Sequence, residues 1–358
     1  RSLPAGGVEA PEAAAAADGW LVTLDNQSDG ASLLLYDLSL ASYDPVVVEV
    51  PGLTLDSTYA LREDRLIATN ATSLLVFDVN QPETPLSSLP FAEHERLILC
   101  EQAGAPVITY TVDGVLDVMD FRGETLLGDE RPTNIRTMVC TGSEIAYVTE
   151  TKPMEVNILQ LGVRGQIGYT VNATAPTEED DLLASWGIPV DMENASIQNM
   201  AFNREYLAVT VNVSATDRLV LYNRTTAEQW LASNSKYHVS DLSLDHGILA
   251  WSVRDHYNPL TPQQKYLDRE IYFTELETNT SHVLTSDTND QWGPQVLEQH
   301  LVYFQRNGDV VSVEIHSWEP ELRLYSSLVL QAGVLAAFVV VAWNMWQRQS
   351  ERRQERQP

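Results

Sequence analysis

A short β-type run of residues recurs seven times along this chain of 358 residues. The spacings between successive runs are 45, 41, 38, 62, 42 and 52 residues, counted from Leu21, Leu66, Val107, Ile145, Leu207, Leu249 and Leu301. Each run is followed by a second run that ends in an acidic or amide residue, as at Asp37, Asp78 and Asp120. A repeat of about 40 residues with several short strands excludes most folds, because each unit leaves a sheet face that only a neighbouring unit can cover.

The repeat predicts an all-β fold, a seven-bladed β-propeller over residues 19–318 that follows an N-terminal extension, residues 1–18. The two long spacings predict insertions at about residues 172–196 and 253–268. Each insertion is either a functional loop on a rigid scaffold or a simple elaboration of a blade edge. The acids that close the second runs are expected to accept turn amides rather than to catalyse a reaction.

Residues 238–315 contain the clearest copy of a known repeat pattern. The pattern begins with the strand Asp268-Arg-Glu-Ile-Tyr-Phe and continues through His282-Val-Leu-Thr and Gln291-Trp-Gly-Pro to Leu301-Val-Tyr-Phe. This segment resembles the TolB-like or WD40-like β-propeller repeats. The resemblance implies a binding platform without universal catalytic residues, so it supports the fold more than any particular function.

The end of the chain differs in composition from the rest. Residues 324–346 contain no charge over 23 positions, which as a helix would span about 34 Å and cross a bilayer. Aromatic side chains lie near both ends of this stretch, as in an interfacial belt, at Tyr325, Trp343 and Trp346. We predict that the propeller is followed by a single C-terminal transmembrane α-helix; the alternative is a long buried core helix.

Charges after this span predict its orientation. Four arginines and two glutamates lie in residues 347–358, so this basic tail is expected to be cytoplasmic and the larger domain extracytoplasmic. The chain begins with Arg1 rather than Met, and we expect that a signal peptide has been removed. These features together predict a single-pass protein of the cell membrane.

Seven Asn-x-Ser/Thr sequons support an extracytoplasmic domain and are candidate glycosylation sites. They begin at Asn26, Asn70, Asn172, Asn194, Asn212, Asn223 and Asn279. The two cysteines, Cys100 and Cys140, each end the apparent inner strand of successive units, shortly before the recurrent run. In an oxidising compartment they are expected to form a disulfide between blades 3 and 4, and the alternative is two buried thiols.

Acidic residues outnumber basic residues by 50 to 22, which gives a net charge of −28 and argues against a nucleic-acid partner. Only three of the basic residues are lysines. This composition is typical of proteins from salt-adapted organisms, and we expect a halophilic archaeal source. The alternative is an acidic surface that binds divalent cations.

The sequence contains no Gly-x-Ser-x-Gly elbow, His-Glu-x-x-His helix, phosphate loop or dinucleotide fingerprint. We therefore predict no catalytic residue, no metal site and no cofactor, and a protein that is not an enzyme. A hydrolase or lyase with His246, His256 and nearby carboxylates is a further hypothesis.

Small residues in the predicted membrane helix permit close approach of a second helix. The expected contact comprises Gln331, Ala332, Gly333, Ala336 and Ala337, unless the helix is a monomeric anchor. We predict a non-enzymatic scaffold or accessory subunit that binds other membrane protein subunits through this helix and the propeller rim. The alternative is a cell-surface receptor or adhesin that binds a soluble ligand, a glycan or an envelope protein.

Overall fold

The structure is a computed structural model of the chain. It describes residues 2–4, 14–17, 19–27, 30–39, 44–54, 57–70, 72–90, 94–128, 131–162, 166–170, 195–213, 216–232, 238–254, 269–287, 289–297, 300–307 and 310–317. The predicted membrane helix, the basic tail and nearly all of both predicted insertions lie outside these residues. Within the described part of the chain, no helix is long and apolar enough to cross a membrane.

The described residues form twenty-seven β-strands in seven sheets, which are the blades. The first strand is β1 (Ser2–Pro4). Blade 1 contains β2 (Ala14–Ala17), β3 (Trp20–Gln27), β4 (Gly30–Asp37) and β5 (Val46–Val48). Blade 2 contains β6 (Tyr59–Arg62), β7 (Arg65–Thr69), β8 (Ser73–Asp78) and β9 (Ser87–Pro90). Blade 3 contains β10 (Arg96–Gln102), β11 (Ala105–Val112) and β12 (Val115–Met119).

The remaining blades follow in chain order. Blade 4 contains β13 (Ile135–Thr141), β14 (Glu144–Thr149), β15 (Lys152–Gln160) and β16 (Gln166–Thr170). Blade 5 contains β17 (Ser196–Phe202), β18 (Tyr206–Val213), β19 (Thr216–Asn223) and β20 (Gln229–Leu231). Blade 6 contains β21 (His238–Asp245), β22 (Ile248–Arg254), β23 (Arg269–Glu275) and β24 (Thr280–Val283). Blade 7 contains β25 (Asp290–Val296), β26 (His300–Asn307) and β27 (Val310–Ser317).

Contacts between the innermost strands close the blades into a ring. These strands, β2, β6, β10, β13, β17, β21 and β25, contact one another in chain order, and β25 also contacts β2. β1 pairs with β27 and supplies the outermost strand of blade 7, with Leu3 opposite Val313. Hydrogen bonds between the two ends of the described chain therefore hold the ring closed. The seven predicted runs all form the second strand of a blade, which confirms the seven-bladed propeller.

Residues 1–18 are more than the extension that we predicted, because they contribute β1 to blade 7 and β2 to blade 1. β2 is a run of four alanines that pairs with β3. Alanine lacks the β-branched or aromatic side chains that mark a strand in a sequence, so local pattern gives no strand signal there.

Apolar clusters fill the space between neighbouring blades. Alternate residues of a strand point to opposite faces, so one face of each blade packs on the blade before it and the other on the blade after it. Six such clusters join blades 1 and 2, 2 and 3, 3 and 4, 4 and 5, 5 and 6, and 7 and 1. Among the described residues, none of the six spans blades 6 and 7. Buried apolar residues, among them Ile271 and Leu301, lie in these two blades, and polar contacts link the two blades as well.

Recurrent polar residues close the third strands, as the sequence predicts. The Asp37 side chain accepts the backbone N–H of Ser39 at 2.9 Å, and the Asp78 side chain accepts that of Asn80 at 2.9 Å. Asp120 accepts two backbone N–H groups in the same way. These side chains cap turns and are structural.

The ring has two distinct ends. Because every blade repeats the same meander, all innermost strands begin at one end. Four of them carry a bulge, which lies in the first half of the strand in three and across the middle in β25. The bulges lie at 135–137 in β13, 197–199 in β17, 240–242 in β21 and 292–295 in β25. We call this the bulged end. The strands on either side of the two predicted insertions, β16 and β17 for the first and β22 and β23 for the second, have their adjoining ends at the bulged end. β27 ends at the opposite end.

The predicted disulfide is present. Cys100 of β10 and Cys140 of β13 are joined, with their Cα atoms 5.8 Å apart. Both residues lie on innermost strands, so the bond links blade 3 to blade 4 near the channel.

Candidate functional site

A groove opens at the outer rim of the propeller between blades 2 and 3. Its volume is about 410 Å³, and we call it the rim groove. It is lined by Leu89, Pro90, Tyr110, Val112, Met119, Arg122 and Gly123. Concave, mainly apolar surfaces with a few polar groups are the usual form of binding sites.

The rim groove is open because blade 3 lacks a regular fourth strand. After β12 the chain turns at Gly123, whose φ of +84° is one that residues with a side chain rarely adopt. A single bridge between Met119 and Thr125 stands in for the missing strand. The Leu126 N–H donates to the Val118 carbonyl at 2.7 Å, and the Asp120 N–H donates to the Glu124 carbonyl at 3.0 Å. The rim is therefore thinner at blade 3 than at the four-stranded blades.

Three polar side chains meet beside the wall of the groove. The Tyr110 hydroxyl lies 3.3 Å from the Asp117 carboxylate, which also pairs with the Arg131 guanidinium at 2.7 Å. Asp117 is only 8% exposed. Burial raises the pKa of Tyr110, and the charge of Asp117 raises it further, so the hydroxyl stays protonated and can donate a hydrogen bond.

Exposed apolar side chains are concentrated around the same rim. Among the described residues, the large exposed hydrophobic side chains are Val46, Val47, Leu86, Leu126 and Val283. Four of the five belong to the outer segments of blades 1, 2 and 3, and the fifth lies on the outermost strand of blade 6. Single exposed apolar residues are common, but a series on three consecutive blades beside a groove indicates an interaction surface.

A second polar region lies at the bulged end. The Arg136 guanidinium donates to the Gln198 side chain at 3.2 Å and links the bulges of blades 4 and 5. The Asp241 carboxylate accepts from Ser252 at 2.7 Å, from Ser240 at 3.2 Å and from the Gly293 N–H at 3.3 Å. Asp241 therefore joins blade 6 to blade 7 through the Gly293 N–H.

An ion pair also joins blades 6 and 7 at this end. Asp290 accepts from the Arg269 Nε at 2.9 Å and from Nη2 at 2.8 Å. Burial alone would raise the pKa of Asp290, but the hydrogen bonds from Arg269 and the charges of Arg269 and Arg306 outweigh burial and hold the pKa below its ordinary value.

The lowered pKa of Asp290 predicts a loss of stability in acid. The folded state holds this proton less tightly than the unfolded chain, so the stabilisation is complete above the unfolded pKa of about 3.9 and disappears as the pH falls through the folded value. Asp290→Asn is expected to lower the free energy of unfolding by about 2 kcal/mol at pH 7. Denaturant unfolding at pH 7, 4 and 3 measures the free energy of unfolding of both proteins. The difference between Asp290→Asn and wild type should become smaller as the pH falls. A constant difference would contradict this account.

The structure separates the predicted sequons into two classes. The Asn70 amide donates to the Pro51 carbonyl and the Asn212 amide to Asp217, each at 2.8 Å. Asn223 lies beside a turn at the opposite end, where its side-chain oxygen accepts the Thr225 and Thr226 N–H groups, and Asn279 is exposed beside another turn at that end. Asn26 lies on β3, but its side chain is outside the described set. The remaining candidates, Asn172, Asn194 and the helix residues Gln331, Ala332, Gly333, Ala336 and Ala337, fall on residues that the structure does not describe.

The hypothesis of a histidine site gains no support. His246 lies in the turn between β21 and β22 at the opposite end, where it pairs with Asp245 at 3.1 Å. Residue 254, after which the chain continues towards His256, lies at the other end of β22, about 20 Å from the start of that strand. His256 itself is outside the described residues. Among the side chains that are described, no group of three or more His, Cys, Asp or Glu is arranged to hold a metal ion.

Sequence reasoning missed the rim groove. Its lining residues come from two blades and share no motif. One signal was present, since the spacing of 38 residues between Val107 and Ile145 is the shortest of the six and spans the reduced blade 3.

No family model and no curated protein sequence matches the chain. Solved structures match its fold. The β-propeller domain of Myceliophteria thermophila Cps50 (Swd1) is 10% identical, with a TM-score of 0.54 over 87% of this chain and 99% of that one. Kluyveromyces lactis Hsv2 is 11% identical, with a TM-score of 0.52 over 84% and 94%.

A tricorn protease structure is 12% identical over 82% of this chain, with a TM-score of 0.43, and the chain spans 28% of that protein's length. At these identities the comparisons establish the fold alone, which is that of the WD40-like β-propellers.

Proposed function

We propose that this chain is a membrane-anchored, extracytoplasmic propeller that serves as a non-enzymatic scaffold or accessory subunit of a membrane protein complex. A partner subunit docks at the rim groove. The observation that carries this proposal is the series of exposed apolar side chains on the outer segments of blades 1, 2 and 3, together with the groove between blades 2 and 3.

The chemistry of the rim groove suits a protein partner. Interfaces combine an apolar centre with a polar rim, and the groove offers Leu89, Pro90 and Met119 next to Tyr110. The exposed Arg122 at its edge provides a cation in a strongly acidic protein. The anchoring part of the proposal rests on the uncharged residues 324–346 and on the basic tail after them.

Leu126→Asp tests the docking surface, with Val283→Asp as its matched control. Leu126 is 36% exposed in the outer segment of blade 3, three residues after the groove residue Gly123, and Val283 is 52% exposed on blade 6, so both variants place a charge on an accessible outer segment. We expect wild type and Val283→Asp, purified from native membranes in mild detergent, to retain a stoichiometric partner through size exclusion. Leu126→Asp should lose at least nine-tenths of that partner, as measured by mass spectrometry. A partner retained equally by all three would rule out the rim groove.

The bulged end favours a second candidate function, a surface receptor for a soluble ligand. Four consecutive innermost strands bulge there and present Arg136, Gln198 and Asp241 around the channel mouth. A lone chain after purification, with a melting temperature that rises on addition of a ligand, would favour this function over the scaffold.

A further inference from the structure

Four charged side chains form a row at the bulged end of blades 6 and 7. Arg254 and Arg269 are cross-strand partners in β22 and β23, and Asp290 and Arg306 are cross-strand partners in β25 and β26. The ion pair between Arg269 and Asp290, at 2.8 Å, joins the two pairs across the blade interface. The row, here called the arginine row, therefore contains three cations and one anion.

Three neighbouring arginines are unusual in this chain, in which acids outnumber bases by 50 to 22, although Asp268 and Glu270 flank Arg269 in the sequence. Like charges directly opposite each other on a sheet are destabilising, and Arg254 stands opposite Arg269. Asp290 is already occupied, because Arg269 donates to both of its oxygens. Within the described part of the chain, Arg254 and Arg306 form no ion pair within bonding distance, and both are exposed.

Trp292 holds two of these guanidinium groups in place. The Cζ atom of Arg269 lies 4.7 Å from the centroid of the indole ring, and that of Arg306 lies 5.3 Å from it. The indole is 5% exposed and stacks on Phe304, so it is a fixed support. Stacking orients a guanidinium while its edges remain able to donate, which reduces the entropy lost when an anion binds.

We propose that the arginine row binds an acidic segment of a partner protein. The Arg269–Asp290 pair already displays the two-pronged carboxylate geometry that Arg254 and Arg306 can repeat. In an extended segment, carboxylates on one side recur every second residue, at about 7 Å, so a single segment can reach more than one arginine. A Debye length of about 8 Å at physiological salt screens the more distant acids of the chain.

The test uses the full chain in a nonionic detergent and a fluorescent peptide of alternating glutamate and glycine. Binding is measured by anisotropy at about 0.15 M salt. We expect the double variant Arg254→Gln and Arg306→Gln to bind at least tenfold more weakly than wild type. Arg204→Gln is the matched control, because Arg204 is an exposed arginine in the turn between β17 and β18 at the opposite end. It should bind as wild type does, and a glutamine–glycine peptide should bind to none of them.

Several outcomes would overturn the proposal. Absence of peptide binding to wild type would do so, as would equal binding by wild type and the double variant. Displacement of the peptide by an equal concentration of inorganic phosphate would assign the row to small oxyanions instead. The site is separate from the rim groove, so Leu126→Asp should bind the peptide normally, and the two proposals can fail independently.

Discussion

Reduction of the disulfide between Cys100 and Cys140 is expected to lower the free energy of unfolding by about 4 kcal/mol. The bond closes a loop of 40 residues, and the loss of chain entropy from the unfolded state on closing such a loop gives this magnitude. The native fold has six other blade interfaces, so we expect the reduced protein to remain folded but less stable. Guanidinium unfolding of the full chain with and without a reductant measures the difference.

The variant with alanine at both cysteines separates the bond from the side chains. Its unfolding curve should be unaffected by the reductant, and it should resemble reduced wild type. Coincident curves for oxidised and reduced wild type would show that the disulfide does not constrain the unfolded chain.

Replacement of Asp241 by alanine is expected to cost about 3 kcal/mol. Its carboxylate accepts from Ser252, which is fully buried, and from the backbone of Gly293 in the next blade. Alanine removes the acceptor of the Gly293 N–H and leaves Ser252 with Ser240 alone, at about 1–3 kcal/mol. The φ of Asp241 is +48°, a conformation that aspartate tolerates and alanine adopts at a further cost of about 1–2 kcal/mol.

Two control variants separate the contribution of the hydrogen bonds from that of the backbone conformation. Asp241→Asn keeps an acceptor and tolerates the backbone conformation, so it should lose less than half as much stability as alanine. Asp241→Gly relieves the backbone strain but removes the acceptor, so it should lie between the two. Thermal and denaturant unfolding provide the comparison. Equal stability of the alanine and asparagine variants would mean that Asp241 does not hold blades 6 and 7 together.

Prediction from the sequence succeeded where the signal is local. The seven runs that begin at Leu21 and end at Leu301 all became second strands, because alternation of apolar residues is a property of each strand by itself. The positions of Cys100 and Cys140 at equivalent points of successive units led to the disulfide. The prediction missed β1 and β2, since the chain closes the ring with residues that have little intrinsic preference for strands.

The membrane helix, its orientation, the glycosylation sites and the salt-adapted source remain predictions from composition and motif. They concern the chain's surroundings, or residues such as 324–346 that the structure does not describe. The hydropathy of that segment and the charges after it make the membrane assignment testable by extraction from native membranes.

By itself, the sequence determined the β character, the number of blades, the turn caps and the disulfide partners, because each depends on residues within one repeat or on equivalent positions of two. Only the tertiary structure decided where a partner can bind. The rim groove brings Leu89 of blade 2 against the turn at Gly123 of blade 3, and the arginine row unites Arg254 with Arg306 from different blades. Such neighbours are set by the packing of one sheet on the next, and no local pattern in the chain encodes them.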